Sequence, residues 1–328
     1  MLNPDLHLNT QLFEVDCAKA PTRDGFGVGL EYLGEHNDDV VVLSADLSES
    51  TRCDGFMKKF PERYIECGVS EQNMALVAAG LGVCGKIPFI SSYAVFSPGR
   101  NWEVLRTTTV YNNLPVKIAG HHAGIVTGPD GPTHQATEDI ASVRSWPGMT
   151  VLVPCDALQA EKATIASADI NSPVYLRFSR EKTPIITTQE TPFEIGKAYA
   201  YWVSEKPQVL IASSGHMVYQ ALAAARILEK ENISSTVLSL ATIKPLDKKT
   251  IIAHAKTAKA IVSVEDHQIE GGLGGALAEL FSKEYPIRMG YVGLKNTFAE
   301  SASGTDLLRQ YGLDALAIAC EVKRVLDL

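Results

Sequence analysis

Ile65-Glu-Cys-Gly-Val-Ser-Glu-Gln-Asn-Met-Ala-Leu-Val-Ala-Ala-Gly-Leu-Gly-Val-Cys-Gly-Lys86 is the stretch on which the reading of this chain turns. A short strand-like run, Tyr64–Cys67, meets Gly68, and Ser70 and Glu71 then open a helix rich in small residues. Ser70 is a candidate N-cap, and Glu71 falls in the first turn, where the helix dipole favours negative charge. On an exposed helix such a carboxylate needs no further role. Here the residues behind it (Met74, Ala75, Leu76, Val77, Ala78, Ala79) are apolar nearly all round, which predicts a buried helix with its N-terminus in a cleft. A carboxylic acid in that position is costly without a partner, and acid–base groups are made in this way.

The strand-then-helix unit repeats outward from there. Val40–Leu43 is short, β-branched and bounded by turn residues, as a buried parallel strand should be. Its carboxyl end carries the polar run Ser44–Ser50, including Asp46, where ligands bind in open α/β sheets. Strands are expected at Lys86–Tyr93, Val116–His121, Thr150–Pro154 and Val174–Phe178, with helices at Gly25–His36, Pro98–Tyr111, Gln135–Ser145 and Ala157–Ala168. A second, smaller alternation has strands at Gln208–Ser213, Ser235–Leu240, Ala260–Glu265 and Ile287–Val292, each followed by helical sequence. The fold class is therefore α/β, with two consecutive domains of mostly parallel sheet. The expected division is an N-terminal arm (1–20), a first domain (21–183), a linker rich in Thr and Pro (184–206) and a second domain (207–328).

Composition narrows the function classes. A chain of 328 residues is long enough for two α/β domains and short for three. The formal charge of −8, with no Lys/Arg run, argues against a nucleic-acid binder. Six scattered cysteines without a Cys-x-x-Cys pair fit reduced thiols rather than a disulfide or zinc framework. The N-terminal sequence has no basic region followed by an apolar core, and no apolar run is long enough to span a bilayer. The expectation is a cytoplasmic protein with no membrane partner.

Several groups could carry chemistry. His121 and His122 end a strand, and a loop of Gly and Pro leads through Asp130 to Thr133 and His134. Asp130-Gly131-Pro132 reads as a turn and Thr133 as a helix cap, but local geometry does not explain three histidines and an aspartate converging on one strand end. Metal binding is the rival reading, yet neither His-Glu-x-x-His nor a Cys/His spacing occurs. Arg23 and Arg180 flank the first domain; guanidinium forks suit phosphate, though lone arginines are mostly surface residues. Phe89, Tyr93 and Phe96 are core aromatics or a cofactor shelf. Val264–Gly275 places glycines after a strand, but its spacing fits neither Gly-x-Gly-x-x-Gly nor Walker A, and it is read as structural.

Gly68-Val-Ser-Glu-Gln-Asn-Met74 and Gly128-Pro-Asp-Gly-Pro-Thr-His-Gln135 together resemble the transketolase family of thiamine diphosphate enzymes. The resemblance runs from about Pro21 to the C-terminus. It implies that Glu71 hydrogen-bonds the ring nitrogen of the cofactor's aminopyrimidine and so promotes loss of the thiazolium C2 proton. It implies that Asp130 and His134 contact sugar hydroxyls, with His134 also catalytic, and that His122 helps to bind the sugar phosphate. Arg23 and Arg180 match the phosphate clamp. Asp46 and Ser50 match the Ala-Asp-Leu-x-x-Ser stretch, the aspartate near the thiamine and the serine near phosphate. Similarity around Pro88–Phe96 implies an aminopyrimidine pocket with Phe96 and Tyr93 as stacking residues and Phe89 as a weaker third.

The resemblance covers only the pyrimidine-binding and C-terminal domains. None of the Asp-Gly pairs (Asp24-Gly25, Asp54-Gly55, Asp130-Gly131) reads Gly-Asp-Gly, the family mark of the diphosphate and magnesium site. No metal ligand is therefore assigned to this chain, and Mg²⁺ is expected on a partner. Met1 lies close to the first motif, as at a natural start. The expectation is the C-terminal subunit of a split transketolase, joined to an N-terminal subunit in a heterotetramer with two copies of each and acting on sugar phosphates of the pentose phosphate pathway. Alternatives within the fold are a transketolase for a specialised sugar such as apulose 4-phosphate, a 1-deoxyxylulose-5-phosphate synthase-like chain, and a 2-oxo acid dehydrogenase beta chain. The last has less need of a phosphate clamp and lacks Asp-Gly-Pro-Thr-His. A non-catalytic binding or regulatory module is the alternative outside catalysis.

Overall fold

The computed structural model describes residues 1–328 and contains fourteen strands. In chain order they are β1 (Lys19–Ala20), β2 (Val40–Ser44), β3 (Tyr64–Glu66), β4 (Ile87–Tyr93), β5 (Lys117–His121), β6 (Thr150–Leu152), β7 (Val174–Arg177), β8 (Thr183–Pro184), β9 (Tyr199–Trp202), β10 (Val209–Ser213), β11 (Ser235–Ser239), β12 (Thr242–Lys244), β13 (Ala260–Gln268) and β14 (Arg288–Leu294). The first sheet has the order β12-β6-β7-β5-β4-β2-β3 and the second β14-β13-β10-β11-β9. Every pairing in both is parallel except those of the edge strands β12 and β9. The apolar runs are buried on both faces because helices cover both faces. β2 is buried throughout: Val40 and Val42 face Phe26 and Phe89, while Val41 and Leu43 face Met74 and Ala78.

The two units are fused more closely than an arm, a linker and two beads. β12 follows β11 of the second unit but hydrogen-bonds to β6, extending the first sheet. One apolar cluster runs across the junction, joining Leu43, Ile118 and Val151 to Leu240, Leu273 and Leu277. Each such fully buried side chain contributes about 1.5–3 kcal/mol. The expected linker contains β9, the antiparallel edge of the second sheet, and Tyr201 and Trp202 on it are core residues. The arm is likewise incorporated: Leu8 and Leu12 enter that same core, and β1 pairs with β8.

Two helices differ from expectation. The segment expected as a helix over 98–111 runs as turns to Asn101, then as Trp102–Val104 and a wide π turn at Leu105–Val110. Thr107 and Thr108 bond back to the carbonyls of Glu103 and Val104, which competes with regular α geometry. The helix expected from Gln135 starts at Asp139, because Gln135 turns inward and Ala136 bridges to Ala123. Helix Glu71–Val83 is only half covered. Met74, Ala75, Ala78 and Ala79 are buried, whereas Leu76 is 51% and Val83 74% exposed. No helix is long and apolar enough to cross a membrane.

Candidate active site

The carboxyl ends of β2, β3, β4, β5 and β7 face one edge of the first sheet, and the loops that leave them carry nearly all the expected site residues. Left-handed backbone marks this edge. Asp46 (φ 59°), Arg52 (φ 65°) and His122 (φ 52°) are three of the eight non-glycine residues with positive φ. Such strain persists where the surroundings over-determine it, as functional sites do.

After β3, Glu71 opens its helix with the side chain 1% exposed. Ser70 stands at the N-cap but its hydroxyl makes no capping bond. The Glu71 carboxylate accepts a charge-assisted hydrogen bond from Arg100 Nη1 at 2.7 Å, and its backbone carbonyl accepts from Asn101 Nδ2 at 3.1 Å. The Arg100 guanidinium also stands over the Phe96 ring, 4.8 Å from its centroid.

Aromatic rings connect this acid to a cationic end. Phe96 and Tyr93 lie nearly parallel with centroids 6.1 Å apart, and His134 meets both rings edge-on. Tyr93 stacks on His122 at 3.8 Å. Phe89 is not part of this group: it shares a face of β4 with Tyr93 but sits four residues earlier on the strand, fully buried in the core against Phe26. The expected shelf therefore reduces to Tyr93 and Phe96.

At the cationic end Arg23 Nη1 donates to the Ser50 carbonyl at 2.8 Å and lies 3.4 Å from His122 Nε2. The Arg23 Nε is buried without a partner. Burial, then the nearby Arg23, Arg180, His134 and Arg52, pushes the His122 imidazole down to about 3, so it is neutral at physiological pH. Burial and the neighbouring Arg52 also lower the Arg23 guanidinium. Arg180 donates to the Thr127 carbonyl at 3.0 Å and lies 4.0 Å from Asp130. Thr22 Oγ1 accepts from the Ser179 amide at 2.7 Å, so residues adjacent to the two arginines are tied together. Thr133 does not cap a helix; its hydroxyl bonds to His134 Nδ1 at 2.9 Å. Asp46 is exposed, and its amide donates to Glu66 Oε1 at 2.8 Å, the oxygen that also receives the Gly68 amide.

The second unit reaches into the site through Glu265-Asp266-His267. Asp266 accepts from the Ile125 amide at 2.9 Å and from His216 Nε2 at 3.0 Å, holding the loop between His122 and Asp130. Gly124, at φ 83°, passes so close to Asp266 that a Cβ there would collide with its carboxylate. Glu265 accepts from the Leu273 and Gly274 amides at 2.7 and 2.8 Å, capping helix Leu273–Glu284. Buried Arg177 links the units, donating to Asp139 Oδ2 and to the Asp266 carbonyl at 2.8 Å each.

Arg100, Glu66, Asn101, His216 and Asp266 were not legible as site residues. Arg100 could have been suspected from its place four residues after Phe96. Glu66, Asn101 and Asp266 act on backbone groups of the site, and His216 acts on Asp266, contacts that no sequence spacing reveals.

The transketolase pyrimidine-binding domain family matches residues 18–185, and the transketolase C-terminal domain family matches 198–318. A protein of Methanocaldococcus jannaschii provisionally named a transketolase C-terminal section is 42% identical, over 93% of this chain and 95% of its own. Human transketolase is 36% identical over 93% of this chain, which spans 49% of the human protein. A solved structure described as a split gene transketolase, inactive beta4 tetramer, superposes with a TM-score of 0.87 and 42% identity, covering 94% of this chain and 99% of that one. By these matches and by its two α/β units, the chain belongs to the transketolase family.

Proposed function

We propose that this chain is the C-terminal subunit of a split transketolase, which moves a two-carbon ketol unit from a ketose phosphate to an aldose phosphate with thiamine diphosphate. The observation that carries the reading is the single sheet edge on which a buried helix-terminal carboxylate, an aromatic shelf and an Arg–His cationic end lie in sequence. The family domains imply thiamine diphosphate. The residues present fit its ring: Glu71 offers a carboxylate at one end of a shelf formed by Phe96 and Tyr93. Bound cofactor supplies the carbanion chemistry.

The chain's own residues bind, orient and move protons. Glu71 holds the ring nitrogen, with Asp46 at the neighbouring loop. Neutral His122 donates one hydrogen bond to the donor phosphate, while Arg23, Arg180 and Ser50 supply charge and further donors. The orphaned Arg23 Nε is a donor awaiting such an acceptor. Asp130 and His134 grip the sugar hydroxyls, and His134, beside the ring shelf, relays a proton to the departing or incoming aldose.

An N-terminal subunit completes the site by holding the diphosphate and magnesium, in a heterotetramer with two copies of each chain. The half-length match to human transketolase supports this, as does the open apolar face of helix Glu71–Val83 directly behind the catalytic carboxylate. The cytoplasm, where thiols stay reduced, is the proposed compartment. Phosphorylated pentoses are the proposed substrates; the Arg23–His122–Arg180 end favours this over a 2-oxo acid dehydrogenase beta chain.

The test is release of glyceraldehyde 3-phosphate from xylulose 5-phosphate by this chain paired with its N-terminal partner. Glu71→Ala is expected to lower the rate by roughly 10²–10⁴-fold while the two chains still copurify. A Glu71→Ala pair with full activity would refute the assignment.

A further inference from the structure

We infer that Arg100 occupies the seat of the cofactor ring and acts as a side-chain gate on it. The proposal rests on the function just assigned to Glu71 and Phe96. A guanidinium is flat, carries N–H donors along its edge and stacks on aromatic faces. An aminopyrimidine ring bound to Glu71 through its edge and to Phe96 through its face needs the same two contacts. Arg100 makes both: Nη1 donates to Glu71 Oε2 at 2.7 Å, and the guanidinium carbon lies 4.8 Å from the centre of the Phe96 ring. One side chain thus satisfies the buried carboxylate and covers the shelf.

Its construction suits displacement rather than permanent anchoring. The Arg100 side chain is 49% exposed although its partner carboxylate is 1% exposed, so it can swing outward into water without breaking a core. No other hydrogen bond ties the guanidinium. The backbone beneath is fixed. Gly99 passes so close to the Val95 carbonyl that a Cβ could not be accommodated, and the Arg100 amide bonds to the Phe96 carbonyl at 2.9 Å. Asn101, fully buried, donates to the Glu71 carbonyl and holds the helix start in place whether Arg100 is in or out. The gate keeps an uncompensated carboxylate from being buried in the unloaded chain, and it makes ring entry depend on Arg100 leaving.

Equilibrium and stopped-flow binding of thiamine diphosphate with magnesium to the assembled pair tests this, with wild type, Arg100→Ala and Arg100→Lys compared. If the closed gate dominates the unloaded site, Arg100→Ala should tighten binding about tenfold or more, because the competent fraction rises to one. The wild-type association rate should level off at high cofactor as opening becomes limiting, and the Ala variant should lose that plateau. Arg100→Lys keeps the charge without the flat fork, so it should fall between the two. Unchanged or weaker binding by an assembled Arg100→Ala pair overturns the gate and leaves the function intact. If neither pair binds cofactor although both assemble, the assignment of Glu71 fails and the gate fails with it.

Discussion

His122 illustrates how a single side chain is set by its surroundings. It is nearly fully buried, pressed on Tyr93 and aimed at Arg23, and a second positive charge there would be costly. Its ordinary value of 6.5 is pushed down to about 3. The folded chain therefore refuses a proton that the unfolded chain accepts, so the unfolded state binds more protons in that window. The resulting stability is fully present above about 6.5 and is lost as pH falls from there toward 3. Urea titrations should show a shallower acid-side loss for His122→Asn than for wild type; equal slopes would mean that His122 is not held neutral by the fold. At this scale the sequence was informative where a residue's type and local setting coincide, as with Glu71 at the head of an apolar helix. It was silent on Arg100, whose meaning depends on a carboxylate 29 positions away.

At the scale of elements, the loop from His121 to Gln135 is built by contacts that alternation and turn residues do not encode. Its middle hangs on Asp266, and its end is drawn inward by Gln135, which donates to the carbonyls of Gly128 at 3.2 Å and Glu300 at 3.0 Å. This is why a helix expected from Gln135 begins only at Asp139. The buried parallel strands were legible to within three residues, because such a strand is a short apolar run with turn residues at both ends. Helix starts were legible where a capping residue type precedes them, as at Glu71 and Ala157, and not at Gln135, where side chains of distant segments decide where the backbone leaves the loop. Gly124→Ala probes the loop directly. The left-handed backbone and the Asp266 carboxylate should together cost about 1–3 kcal/mol, read as a lower urea midpoint, and the displaced loop should raise KM for the sugar phosphate more than it lowers kcat. No change in either quantity would show that Asp266 does not shape the site.

For the whole molecule, the order and type of the two α/β units followed from the sequence, but their fusion did not. β12 crosses into the first sheet, and the expected linker supplies β9 to the second. These are short edge strands whose hydrogen bonds join segments about 40 and 90 residues apart, a separation that local pattern cannot reveal. The second unit braces the loop between His122 and Asp130 through Asp266, and Arg177 on β7 ties helix Asp139–Arg144 to the Asp266 carbonyl. The front stays open. Helix Glu71–Val83 buries one face and leaves Leu76 and Val83 exposed on the other. An apolar, unpartnered face beside the central acid fits a site divided between two chains.

The most direct test is the rate of ketol transfer from xylulose 5-phosphate to ribose 5-phosphate, measured with thiamine diphosphate and magnesium on this chain alone and then during titration with the N-terminal subunit. A divided site predicts no transfer by the chain alone and a rate that rises to a plateau at one partner per chain. Full transfer by the chain alone would contradict it.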